Sequence, residues 1–253
     1  MLKVQNIIIN IPKIKCKLKK VRKYYESFVM FLSILNFFRA YIDVKGQGAV
    51  KMSGEINQYV QDDATVLEEM RMLQCNGLIL LEGYFKRLCI SGNLLQSHEQ
   101  KRIQETLDKW RNVILNKRAL RQMEIEEVGS IVKQIEKVMN EQLQRIGDTS
   151  ENQQLAMTRG AIHAEYLIHE RITEMGRRFD EELVQEFENK RPFFAQRVKW
   201  IDHIYEKRQN KERIQYEELA KWKSWYGELS ANQGNVGKDF STIRQLLNGA
   251  QQA

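Results

Sequence analysis

The sequence predicts an all-α protein: an elongated antiparallel helical coiled-coil bundle of three main long helices, kinked near Pro192. Three observations predict it. Two prolines and fourteen glycines in 253 residues leave few helix breakers. Strand signals are scarce, with no hairpin dipeptide between alternating apolar runs. Apolar residues recur at helical spacing from Ile103 to Leu229. A chain with 42% hydrophobic and 29% charged residues is globular rather than disordered, and long enough to bury a core.

The first 51 residues read as a basic, apolar extension ahead of a helical domain at 52–253. "KIKCKLKKVRKYYESFVMFLSILNFFRAYI" (13–42) is a lysine run followed by the apolar run Phe28–Phe38. That run is too short to span a bilayer, which takes about 20 residues. Three readings of the extension stand side by side: a targeting segment, an interfacial helix gripping anionic lipid, or a stretch outside the mature protein that begins at Met52.

Beyond Met52, Asn76-Gly77 and Ser91-Gly92-Asn93 read as turns. Ser97 with Gln100 has the capping-box pattern that opens a long helix, with Ile103, Leu107, Trp110 and Ile114 on one face. Ile125, Val128, Val132, Ile135, Met139 and Ile146 continue in a 3-4 rhythm, with Gln142 in the vacant slot. "IGDTSENQ" (146–153) breaks the chain, and Ser150 with Gln153 opens the next helix. From there the stripe Ile172, Met175, Phe179, Leu183, Phe187, Phe194, Val198, Ile201, Tyr205 keeps its phase across Pro192. Preserved phase predicts one helix over about 155–229 that bends at the proline rather than ending there. An alternative starts a fresh helix at Pro192. The polar run "EKRQNKER" (206–213) predicts a stretch where this helix projects past its partner. "GNVGKD" (234–239) reads as a turn before a short terminal helix at 240–248.

The seam Ile125, Val132, Ile135, Met139, Ile172, Met175, Phe179, Phe187, Phe194, Val198 and Ile201 is too apolar for a lone extended hairpin. A homodimer or a helical protein partner is therefore expected. The formal charge of +7 is unevenly spread: residues 1–51 carry +9, 151–189 carry −5 and 190–223 carry +5. The basic stretch offers Lys190, Arg191, Arg197, Lys199, Lys207, Arg208, Lys211 and Arg213 as candidate contacts to an anionic membrane surface or a partner. Nucleic acid is an unfavoured partner, because the aromatic residues of 187–226 fall in core phase rather than on a stacking platform.

No catalytic, cofactor or metal pattern is present in the sequence, so a non-enzymatic role is expected. There is no phosphate-binding glycine loop, no G-x-S-x-G and no H-E-x-x-H. His163 and His169 do not share a helix face, and Glu165 with His169 lacks the second Glu-x-x-His of a di-iron site. Cys16, Cys75 and Cys89 are widely spaced and read as reduced thiols of an intracellular protein, cytoplasmic or peripheral on membranes.

"ITEMGRRFDEELVQEFENKRPFFAQRVKWI" (172–201) with "KWKSWYGEL" (221–229) resembles the last helix of BAR domains of the sorting-nexin type. The matching positions are Glu182, Leu183, Phe187, Glu188, Arg191, Phe194, Val198 and Trp222. The resemblance implies a curved, dimeric three-helix coiled coil lying on membranes through basic patches, in a vesicle or endosomal trafficking role. The second class is a structural coiled-coil subunit of a cytoskeletal, ciliary or organellar assembly.

Overall fold

A computed structural model describes residues 62–92, 95–145, 149–179, 181–231 and 236–249. They belong to one compact unit, Ile42–Ala253, and the extension at 1–51 lies outside the described residues. The described residues form seven helices and no strand: α1 (Asp62–Ile90), α2 (Ser97–Asn116), α3 (Gln122–Gln144), α4 (Glu151–Phe179), α5 (Glu181–Gln209), α6 (Tyr216–Ala231) and α7 (Val236–Leu247). The all-α class is as the sequence predicts, and its subdivision differs.

The centre is α1. From Leu73 to Phe85 every residue is buried, so this helix is covered on all faces rather than along one stripe. Asn76-Gly77 lies within it and is no turn. Gly77 is there because Leu246 and Leu247 of α7 approach its backbone: a Cβ would meet their side chains at 3.2 and 3.1 Å. The expected turn at Ser91-Gly92 is present, with Gly92 at φ 138°.

The expected long helix from residue 97 is divided into α2 and α3 at 117–121. Gln74 of α1 explains the break. Its buried side-chain amide accepts from the Leu120 N–H at 2.6 Å and donates to the Leu247 carbonyl at 3.1 Å. The connector is thereby pinned to the core instead of continuing a helix. Arg71 supplies a second anchor, donating to the carbonyls of Ile114 and Leu115 at the end of α2, where a cation suits the helix dipole. The start of α4 follows the predicted box: Ser150 N–H donates to the Gln153 side chain at 2.9 Å, and Gln153 N–H to Ser150 Oγ at 3.4 Å.

The single helix expected over 155–229 is three helices. The chain passes through Pro192 within α5, as the preserved phase predicts, but it reverses twice elsewhere. One residue, 180, separates α4 from α5, and the two run antiparallel: Arg177 pairs with Glu188, Glu165 with Arg197 and Glu151 with Arg208. The polar run 206–213 is the second reversal, not an unpartnered helix. Glu212 N–H donates to the Lys207 carbonyl at 2.8 Å and Lys211 N–H to the Arg208 carbonyl at 3.3 Å, with Lys211 at φ 58°. This is a Schellman termination with lysine in the glycine position. Helix α7 begins four residues earlier than expected, and its Phe240, Ile243 and Leu246 are fully buried against the fold's centre.

The predicted seam is covered by the chain's own helices. Val132, Ile135, Met139, Ile172, Met175, Phe187, Phe194 and Ile201 are buried, and Ile125, Phe179 and Val198 are half-buried. The apolar surface offered as the ground for a partner is therefore satisfied within the chain.

Candidate functional site

The change in charge sign near residue 190 falls within α5, between an acidic stretch at 181–188 and the basic residues that begin at Lys190. Helices α4 and α5 each carry as many acidic as basic residues, and their side chains pair along the interface. Glu170 meets Arg191 at 3.5 Å, Glu165 meets Arg197 at 2.6 Å, and Glu151 meets Arg208 at 2.8 Å. Two rungs have the opposite polarity: Arg177 of α4 pairs with Glu188 of α5 at 2.7 Å, and Asp202 of α5 accepts from Arg159 at 2.6 Å and lies 2.8 Å from His163 Nε2. Burial raises the Asp202 carboxyl, but those two partners outweigh it and hold it below the usual range. Lys207 pairs with Glu218 of α6 at 2.9 Å.

Of the eight basic residues offered for lipid or partner contact, Arg197 is buried, which corrects its assignment to an outer surface. Its guanidinium stands 4.9 Å from the Trp225 ring centroid and 5.9 Å from that of Phe193. Lys207 and Arg208 are half-buried in the pairs just described, and Lys190 is half-buried with its Nζ 5.9 Å from the Phe187 ring centroid. Arg191 is exposed but paired, while Lys199, Lys211 and Arg213 are exposed.

Around Arg197 a polar layer runs through the helices. Burial pushes the Glu165 carboxyl up, with Arg197 and Arg87 opposing that rise. Glu228 is likewise raised by burial, and Lys221, 4.3 Å from the Trp200 ring centroid, is lowered by burial and by Arg197. Arg87 of α1 is buried, and its Nε and Nη2 make no hydrogen bond among the described residues. Tyr84 donates to Asp239 at 2.6 Å in the same part of α1.

His169 is fully buried between two rings, 5.1 Å from the Phe187 centroid and 4.7 Å from that of Phe194. Burial pushes its imidazole down to about 4, with the Phe187 backbone partly opposing that fall and Lys190 and Arg191 adding to it. It is thus a neutral core histidine, while His163 is the half-buried partner of Asp202. Among the described residues no group of His, Cys, Asp and Glu could hold a metal ion.

A second polar cluster was not anticipated. Glu82 of α1 accepts from Arg111 of α2 at 2.8 Å and from Arg171 of α4 at 3.0–3.2 Å. Cys75 lies within the field of these charges, and burial pushes its thiol up to about 12, which makes it unreactive. The available signal was weak: a glutamate between Leu81 and Gly83 in an otherwise apolar run marks a buried partner but does not name it.

The comparisons with known proteins add nothing to this geometry. No protein-family model, no curated protein and no solved structure matches the chain. No described helix is long and apolar enough to cross a membrane.

Proposed function

We propose that the chain is a non-enzymatic helical scaffold, a structural subunit of a larger protein assembly. The observation supporting this is the use to which its charges are put. Buried carboxylates and guanidinium groups of α1, α2, α4 and α5 tie helix to helix, through Glu82 with Arg111 and Arg171, and through Glu165 with Arg197. Such pairs fix the relative placement of helices more than they add stability. A rigid helical body presenting fixed surfaces is what an assembly subunit needs.

The competing reading is a BAR-like dimer on anionic membranes. It draws on Lys199, Lys211 and Arg213, which stay exposed on α5 and the α5–α6 turn. It loses Arg197, Lys207 and Arg208, whose charges face carboxylates of the same chain. The test is co-sedimentation of the full chain with phosphatidylserine-rich vesicles, alongside the variant Lys199→Glu/Lys211→Glu/Arg213→Glu. The scaffold reading expects equal sedimentation of the two proteins, any lipid affinity residing in the basic extension at 1–51. A drop of about a hundredfold or more in the variant restores the membrane reading, since each of the three basic residues at a membrane surface contributes about 1 kcal/mol and a tenfold change is about 1.4 kcal/mol.

A further inference from the structure

The α4–α5 hairpin is written in the sequence as one uninterrupted helix. A single residue separates Phe179 from Glu181, and the sequence from 177 to 191 contains neither glycine nor proline. The apolar positions 172, 175, 179, 183 and 187 follow one another at steps of three and four through the reversal. Arg177 and Arg178 stand four residues ahead of Glu181 and Glu182, the spacing at which opposite charges pair on one continuous helix. The ion pair that closes the hairpin next to the reversal, Arg177 with Glu188, is 61% and 43% exposed and holds it only weakly.

We propose that this connection opens, so that α4 and α5 merge into one helix from Glu151 to Gln209, about 90 Å long, and that two copies of the chain exchange everything beyond residue 180. Helices α5, α6 and α7 of one copy then dock on α4 and α1 of the other. The contacts remade are those of the closed chain, with one partner in each supplied by the second copy: Glu165 with Arg197, His169 between Phe187 and Phe194, and Tyr84 with Asp239. Because the interface is the same in both forms, the balance rests on the connector and on protein concentration. A short connector with helix-forming flanks favours exchange. This inference rests on the scaffold reading for its biological use, as the exchanged dimer is the unit from which an assembly would be built.

Two single variants of the full chain, Glu170→Cys and Arg191→Cys, each with Cys16→Ser and Cys89→Ser, are mixed, unfolded, refolded together and treated with a short bismaleimide. Position 170 meets 191 across the hairpin, so a covalent dimer joining the two variants forms where 170 of one copy faces 191 of another. The expected result is such a dimer, rising with protein concentration. Adding Asp180→Ala should raise its yield about threefold for each hinge, because alanine favours the continuous helix. A Gly-Ser-Gly-Gly insertion after residue 180 should abolish it by letting each hairpin close on itself. Absence of the mixed covalent dimer in every variant overturns the exchange, as do equal yields with and without the insertion. Neither outcome touches the scaffold reading, which stands or falls on the vesicle comparison.

Discussion

Glu82 and Arg111 meet at 2.8 Å with their side chains only 4% and 9% exposed, joining α1 to α2 where no solvent can replace either partner. Arg171 of α4 shares the same carboxylate. Removing the acid alone leaves the buried Arg111 with only Asp108 and the half-buried Arg171 with only Glu174. Glu82→Gln should therefore cost about 3–5 kcal/mol, read as a lowered urea midpoint. The double change Glu82→Leu/Arg111→Met should return stability to within about 1.5 kcal/mol of the parent or exceed it. A double variant as unstable as the single one would show that the pair contributes more than placement.

Two glycines should respond oppositely to alanine. A Cβ on Gly160 would lie 2.7 Å from the Arg87 carbonyl oxygen, a backbone atom of α1 that cannot step aside. Gly160→Ala should cost about 1–3 kcal/mol by forcing α1 and α4 apart. Gly129, inside α3, has nothing within 4 Å of that position. Gly129→Ala should stabilise by about 0.5–1 kcal/mol through helix propensity alone. Thermal melts of the two variants decide the matter.

The termination of α5 predicts a third effect. Lys211 holds φ 58°, the left-handed region in which a Cβ is strained and glycine is not. Lys211→Gly should stabilise the fold by about 1 kcal/mol, visible in chemical denaturation, with the Lys207–Glu218 pair unchanged. Destabilisation would mean that the lysine side chain supports the turn by contacts of its own.

Lys211 also shows why part of the architecture was hidden in the sequence. A Schellman turn built on lysine carries no glycine to announce it, so the polar run 206–213 resembles a solvated helix. The reversal between Phe179 and Glu181 is hidden for the same reason, with neither glycine nor proline from 177 to 191. Helix α1 was concealed differently: burial on every side erases the stripe from which a helix is read, and Gln74, Asn76 and Glu82 interrupt what is left. Elements with one wet face were legible, as the seam positions Val132 to Met139 and Ile172 to Ile201 show. The charge step near 190 was legible too, but it lies within α5 and marks no helix boundary. The pairs that join α4 to α5 run in both directions, Glu165 with Arg197 and Arg159 with Asp202, so the sign of charge along the sequence does not reveal them.

Protonation of His169 supplies a prediction in pH. Its folded pKa is about 4 against an ordinary 6.5, because burial between Phe187 and Phe194 disfavours the charged ring. A histidine depressed in this way takes up a proton more readily when unfolded. Stability is therefore unaffected above 6.5 and is lost as pH falls from 6.5 towards 4, by on the order of 1–3 kcal/mol. His169→Leu should flatten the stability profile across that window. A profile that keeps its slope in the variant assigns the effect to other groups.

The last prediction concerns the helix through Pro192. Phe194 is 3% exposed and stacks on His169, whereas Pro192 faces solvent on the opposite side of α5. Truncating the ring removes buried apolar surface and leaves a cavity beside the His169 imidazole. Phe194→Ala should cost about 3–5 kcal/mol. Proline within a helix forgoes the hydrogen bond that its N–H would have made to the carbonyl of Glu188, and both Pro192 and Glu188 are exposed residues. Pro192→Ala restores the donor without disturbing a buried contact, so stability should be equal or higher by up to about 3 kcal/mol. Equilibrium unfolding of both variants checks the pair. Strong destabilisation by Pro192→Ala together with a neutral Phe194→Ala would mean that the proline begins a separate helix, and that Phe187 and Phe194 do not share the buried face on which His169 rests.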